Sequence, residues 1–294
     1  MTDVLSAGSH LIEVGGIRQR YHVAGTGPLC LVHPGGPGIH WEYLRMPALE
    51  RHLTLVYLEP VGTGRSEALP GGRYTVRRYA EFVDGVIDHL GGPEVYFLGH
   101  SHGAFVGLQY ALDHPDRLSG LILYDGAPTM DTPEFAEELA RGVRDRLAAH
   151  PGDPDTERAA AAFGRTPITD DASLRAYLGT VLPLYFADYA GTDLSGWLGT
   201  LDATHDPDRL REPWDVRDDL DVIHTPTLVI VGRQDFICGP RWAQELATGI
   251  PTARLVVLEH SGHFGHLEEP EPFLGAVTAF TGSAQRVSAV TQSR

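Results

Sequence analysis

Short, β-branched apolar runs recur along the chain, separated by stretches whose apolar residues follow helical spacing. The runs are Leu29 to His33, Leu53 to Leu58, Val95 to Gly99, Leu121 to Tyr124, Thr227 to Val231 and Leu255 to Leu258. Strands covered on both faces need continuous apolar runs rather than alternation, so the pattern predicts a mostly parallel sheet with helices on both sides. Leu11 to Val14 and Ile17 to Val23, joined by Gly15-Gly16, predict an antiparallel hairpin at its edge and bring the strands to eight. Between Arg77 and Leu90, the positions Tyr79, Phe82, Val83, Val86, Ile87 and Leu90 trace one helix face that stops at Gly91-Gly92-Pro93.

The alternation breaks between about Pro128 and Asp215, where Ala, Arg, Glu, Asp and Pro dominate and strand signals vanish. Helices are expected from Pro133 to Ala149, from Asp171 to Val181 and around Ala187 to Leu201. The chain thus divides into a core, residues 1–127 and 216–294, and a helical cap, residues 128–215. Small polar residues after Gly282 predict a frayed tail.

Composition narrows the chemistry. The chain has 294 residues, 23 basic against 39 acidic, for a net charge of −16, and no run of basic residues, so nucleic acid is a poor partner. All the basic residues are arginines. Without lysine there is no Schiff base, no pyridoxal attachment and no lysine-bearing phosphate loop. Two cysteines, Cys30 and Cys238, build neither a disulfide framework nor a thiolate metal site. A reducing, cytoplasmic location is expected, with no leader and no apolar stretch long enough to span a membrane. Monomer and homo-oligomer are left open.

The chemistry concentrates after the strands. Gly99-His100-Ser101-His102-Gly103 follows the run Val95 to Leu98 and opens a helical pattern. A strand-to-helix turn with small residues two positions either side of a serine lifts its hydroxyl above the sheet. That hydroxyl is a weak nucleophile unless an imidazole takes its proton and a carboxylate orients the imidazole. Asp235, after Thr227 to Val231, and His263, after Leu255 to Leu258, stand in the expected order. His260 and His266 are fallback bases, and Asp125 after Leu121 to Tyr124 is the rival acid. Ligands gather at the carboxyl ends of strands in such sheets, so these loops are expected to converge.

Acyl chemistry also needs donors for an oxyanion. In His33-Pro34-Gly35-Gly36-Pro37-Gly38 the prolines carry no N–H, so Gly35, Gly36 and Gly38 can donate, and the expected pair is Gly36, with Gly35 as alternative, beside the N–H of His102. His100-Ser101-His102 resembles half of a zinc motif, but Gly103-Ala104-Phe105-Val106 follows where further ligands belong, so no metal is expected. No other cofactor is implied.

These loops, taken in order, resemble the α/β-hydrolase fold family, and within it the Gly-Gly-Pro-Gly branch of proline iminopeptidases and related esterases and lactonases. The resemblance runs from the His33 loop through Val61-Gly62-Thr63-Gly64-Arg65-Ser66 and the Ser101 elbow to Asp235 and the ending Gly262 to Pro270. It implies a cofactor-independent serine hydrolase with a helical cap, acting on a small molecule. Proline iminopeptidases carry Asp-Gln-Arg-Gly before the second glycine loop, a Trp after the nucleophile and a cap Glu that holds the substrate's ammonium. Here Glu59-Pro60-Val61-Gly62, His102 and Leu182 stand in those places. Glu134, Glu137, Glu138 or Asp188 is then needed as a substitute. An ester or lactone is therefore the expected substrate, under a cap whose Tyr177, Tyr185, Phe186, Tyr189 and Trp197 suggest an apolar pocket, with Tyr185, Phe186 and Trp197 as substrate contacts. Aminopeptidase, non-hydrolytic biosynthetic enzyme and ligand-binding protein are the alternatives.

Overall fold

The computed structural model describes the backbone of residues 4–209 and 212–291 and side chains as far as residue 282. The frayed tail expected after Gly282 does not begin there: the backbone continues as helix to Thr291, and residues 292–294 lie outside what is described. Eight strands form one sheet: β1 (Gly8–Val14), β2 (Ile17–Gly25), β3 (Leu29–His33), β4 (Thr54–Glu59), β5 (Val95–His100), β6 (Leu118–Tyr124), β9 (Thr227–Gly232) and β10 (Ala253–Leu258). Two further short strands, β7 (Thr129–Met130) and β8 (Trp214–Asp215), pair with each other elsewhere. The spatial order of the large sheet is β1-β2-β4-β3-β5-β6-β9-β10. The β1–β2 hairpin and its pairing with β4 are antiparallel, and every other neighbour is parallel.

Because side chains alternate faces along a strand, each run feeds two cores. Leu31, Val56, Phe97, Leu121 and Val229 point to one face, where α1 (Val76–His89), α2 (His102–Asp113) and α6 (Pro240–Gly249) contribute Phe82, Leu108 and Trp242. Val32, Tyr57, Leu98, Ile122 and Ile230 point to the other, against Phe273, Val277 and Phe280 of α8 (Pro270–Thr291). A short helix, α7 (Gly265–Glu268), precedes α8.

Between β7 and β8 the chain leaves the sheet. This stretch holds α3 (Pro133–Ala149), α4 (Pro154–Ala162) and α5 (Asp171–Val181), and its exit and return are tied where Thr129 pairs with Asp215 and Met130 with Trp214. The helix expected from Ala187 to Leu201 does not form; the segment turns repeatedly and reaches only a 3₁₀ turn at Leu198–Thr200. Local bonds replace the helical ladder: Asp188 Oδ1 accepts from Gly191 N–H at 2.8 Å, and Asp193 accepts from the Ser195 hydroxyl at 2.7 Å. Instead α4 appears, started by Pro154 and capped by Asp153, which accepts from Thr156 N–H at 2.9 Å.

Candidate active site

Ser101 sits between β5 and α2 with φ 55° and ψ −119°, a left-handed backbone that a serine adopts only under constraint. The constraint is visible on both sides. A Cβ on Gly99 would lie 2.1 Å from the Gly103 carbonyl oxygen, and one on Gly103 would lie 2.2 Å from that of His33. The two glycines are therefore required by close backbone approach, and the helix packs against the strand before it has begun to turn.

Asp235 and His263 come together from adjacent loops. The Arg233 N–H donates to the Leu258 carbonyl at 2.8 Å and the Gln234 N–H to that of Ser261 at 2.9 Å, which docks the two loops. His263 Nδ1 then lies 2.8 Å from Asp235 Oδ2, both groups buried. The other oxygen, Oδ1, accepts from the N–H groups of Ile237 at 2.8 Å and Cys238 at 3.3 Å, so the carboxylate is held at both ends. His263 and Ser101 face one cavity of about 910 Å³.

The rival histidines are placed elsewhere. His260 is exposed. His266 is buried with both ring nitrogens occupied: Nε2 donates to the Tyr43 carbonyl at 3.4 Å, which leaves Nδ1 to accept from the Tyr124 hydroxyl at 3.0 Å. Burial lowers it to about 4, so it stays neutral.

One buried chain connects the glycine loop with the histidine loop. His100 Nε2 donates to the His263 carbonyl at 2.9 Å, since a carbonyl only accepts. Burial, reinforced by His263 and His266, holds His100 well below the usual imidazole range, so its Nδ1 is bare and accepts from the Tyr43 hydroxyl at 2.7 Å. The same hydroxyl accepts from Gly35 N–H at 2.7 Å. Gly35 is thereby removed as an oxyanion donor, and the adjoining Gly36, at φ 122°, keeps its place among the cavity-lining residues. His102 begins α2, with its ring packed against Tyr79 and Phe105. Tyr43 and His100 carry no signal in the sequence beyond being polar groups among apolar neighbours.

The cavity roof is apolar: Phe135, Leu139, Phe163, Ile168, Leu174, Tyr177, Leu178, Leu182 and Tyr185 come from the segment between β7 and β8. Ile39, Phe105, Ile237 and Phe264 form the floor, and His205, Asp206 and Arg209 add a polar edge. Of the three expected substrate contacts only Tyr185 lines it. Phe186 is fully buried between Trp197 and Phe264, and Trp197 spends its indole N–H on the Tyr43 carbonyl at 2.7 Å. Both pack the segment between β7 and β8 against Tyr43 and Phe264, away from the cavity.

The candidate ammonium anchors also lie outside. Glu134 pairs with Arg217 and Arg241, Glu138 with Arg141 and Arg241, Asp188 caps its own turn and Glu137 is exposed. Among the described residues, His100, Asp125 and His263 are close enough to share an ion, with donor atoms within 4.8 Å of one another. His100, however, spends its Nδ1 lone pair on the Tyr43 hydroxyl and its Nε2–H on the His263 carbonyl, so its ring offers an ion no free lone pair. No helix is long and apolar enough to cross a membrane among the described residues.

Comparison with known proteins agrees with this architecture. The profile of the alpha/beta hydrolase fold family matches residues 28–270. A protein of Pseudomonas savastanoi pv. phaseolicola, assigned as the carbamate hydrolase RutD, is 32% identical over 81% of this chain and 87% of its own length. The 2-hydroxy-6-oxo-2,4-heptadienoate hydrolase of Pseudomonas putida is 27% identical over 95% of this chain and 98% of its own. Among solved structures, a thermophilic esterase from Thermogutta terrifontis is 26% identical with a TM-score of 0.64, covering 95% of this chain and 99% of that one.

Proposed function

The chain belongs to the α/β-hydrolase fold family, and from that premise we propose that it is a serine hydrolase that cleaves a small or medium ester or lactone. The observation that carries the reading is the 2.8 Å contact of His263 with Asp235 on the wall of the cavity that Ser101 also faces. Ser101 Oγ attacks the carbonyl carbon as His263 takes its proton, and Asp235 holds the Nδ1–H tautomer and stabilises the imidazolium. The N–H groups of Gly36 and His102 receive the oxyanion, each such donor contributing about 3 kcal/mol in the transition state. Collapse expels the alcohol, which takes the proton back from His263. Water then attacks the acyl-enzyme by the same route, and Ser101 is restored.

The segment from residue 128 to 215 acts as the cap of this site, and its apolar roof favours an acyl group of hydrocarbon character. The aminopeptidase alternative finds none of Glu134, Glu137, Glu138 and Asp188 among the residues that line the cavity. A second reading draws on the relative named for a heptadienoate: cleavage of a carbon–carbon bond in an anionic substrate whose carboxylate meets Arg209, which edges the cavity with a buried Nε lacking a hydrogen-bond partner.

Initial rates on a p-nitrophenyl short-chain ester and on proline p-nitroanilide, each repeated with Ser101→Ala, test the proposal. Ester turnover that disappears in the variant, without anilide release, is expected. Full ester turnover by Ser101→Ala would end it, and strong proline release would restore the aminopeptidase.

A further inference from the structure

We propose that Asp125 is a second acid of the site, a positioning residue buried beside Asp235 behind His263 that takes over the imidazole when Asp235 is neutralised. The inference rests on the roles given above to Ser101, His263 and Asp235.

Asp125 directly follows β6 at the carboxyl edge of the sheet, next to the strand that delivers Asp235. Its backbone takes φ 49°, and its N–H donates to the Ile230 carbonyl at 2.8 Å, which anchors the residue to β9. The side chain is fully buried. One oxygen, Oδ1, accepts from Gly232 N–H at 2.9 Å, while Oδ2 has no hydrogen-bond partner. That oxygen is 3.9 Å from His100 Nε2, and the carboxyl lies within 4.8 Å of a ring nitrogen of His263. A shift of about 2 Å brings that separation to hydrogen-bond length.

The surroundings decide the charge. Asp235 and Cys238 face Asp125 from the loop after β9, Glu268 from α7, His263 from the loop after β10, His100 from β5, Tyr124 from β6 and Tyr43 from the segment after the glycine loop. No arginine stands among them. Burial first, and the charge of Asp235 second, hold the Asp125 carboxyl well above the usual carboxylate range. Asp125 therefore stays a neutral acid, while the Asp235 oxygens take two N–H donors and the His263 ring. With the Asp235 charge removed, the larger obstacle that remains is burial, and an imidazolium formed next to it during turnover favours the carboxylate.

The experiment follows kcat on a p-nitrophenyl ester from pH 5 to 10 for wild type, Asp235→Asn, Asp125→Asn/Asp235→Asn and Ser101→Ala, with urea unfolding as a check on folding. Loss of a sole orienting acid lowers kcat about ten-thousand-fold. Asp235→Asn is expected to retain far more, falling roughly a hundredfold, with the acid limb of its profile displaced upward by a pH unit or more because Asp125 must now ionise. The double variant is expected to lose the remainder and the displaced limb with it. Equal rates and identical profiles for the single and double variants overturn the inference. An undisplaced limb in Asp235→Asn does so by itself, even should the double variant fail to fold. Activity retained by Ser101→Ala instead removes the reading of the site on which the inference stands.

Discussion

Arg146 and Glu268 hold opposite edges of the same stretch of backbone, residues 186–188. The Arg146 guanidinium donates to the carbonyls of Phe186 and Ala187 and to Gln234 Oε1 at 2.9 Å, beside the candidate acid. Glu268 Oε1 accepts from the N–H groups of Ala187 at 2.7 Å and Asp188 at 3.1 Å, and Oε2 from Gly262 N–H at 2.7 Å, beside the candidate base. The His263 N–H donates to the Tyr185 carbonyl at 2.6 Å between them. The seating of residues 185–188 and the placement of His263 are thus one hydrogen-bonded unit.

Arg146→Met strands two carbonyls and the Gln234 amide oxygen. It is expected to cost about 2–3 kcal/mol in urea unfolding, and to lower kcat more than it raises KM, because the backbone that seats His263 loosens. Arg146→Lys recovers little of this, since one ammonium does not reproduce a planar fork of donors.

Tyr43→Phe removes both the donor to His100 Nδ1 and the acceptor for Gly35 N–H. The expected cost is about 1–2 kcal/mol of stability, with kcat on a short ester reduced about tenfold as the glycine loop shifts against the Ser101 turn. Unfolding curves and steady-state rates measure the two effects, and unchanged kcat would separate this chain from the oxyanion geometry.

Phe186 and Tyr185 are neighbours with opposite duties. Phe186→Ala empties a buried aromatic site and is expected to cost about 3–5 kcal/mol while leaving KM of the folded enzyme nearly unchanged. Tyr185→Ala opens the cavity wall and is expected to raise KM for longer acyl chains. Thermal unfolding beside KM for a series of p-nitrophenyl esters discriminates them.

His266 is held neutral by burial, lowered to about 4 from an ordinary 6.5. The unfolded chain takes up this proton as pH falls below the ordinary value, and the folded chain does so only near the lowered one, so the histidine costs stability across that window and nothing above it. The stability of wild type relative to His266→Gln is therefore expected to rise by about 3 kcal/mol between pH 4 and 6.5 and to level off above. Urea unfolding of both proteins across that range measures the difference, which cancels the contributions of the other buried groups.

The strands were legible because burial on both faces leaves a mark in every residue: Leu29 to His33 is the same in expectation and structure, and Thr227 to Val231 extends by a single residue to Gly232. The Ser101 turn was legible through Gly99 and Gly103, whose missing side chains are what the close backbone approach demands. The segment Ala187 to Leu201 misled because its composition suits a helix, while its Asp and Thr side chains bond their own backbone. Phe186 and Trp197 misled because an aromatic residue in a cap carries the same letter whether it faces a ligand or a core.

The strands along the chain, the turn that presents Ser101 and the positions of Asp235 and His263 after their strands were determined by the sequence alone, since each rests on local sterics and on which faces must be buried. Only the tertiary structure sets Gly35 N–H on the Tyr43 hydroxyl, exposes His260, buries His266 on Tyr124, and puts Tyr185 on the cavity wall with Phe186 behind it. Those placements depend on where an N–H or a ring finds its partner, and the partners, Tyr43, Tyr124 and Trp197, stand far away along the chain. A hydrogen bond between distant residues leaves no periodicity to read, which is also why Arg146, Glu268 and the buried Asp125 carboxyl became visible only in the folded chain.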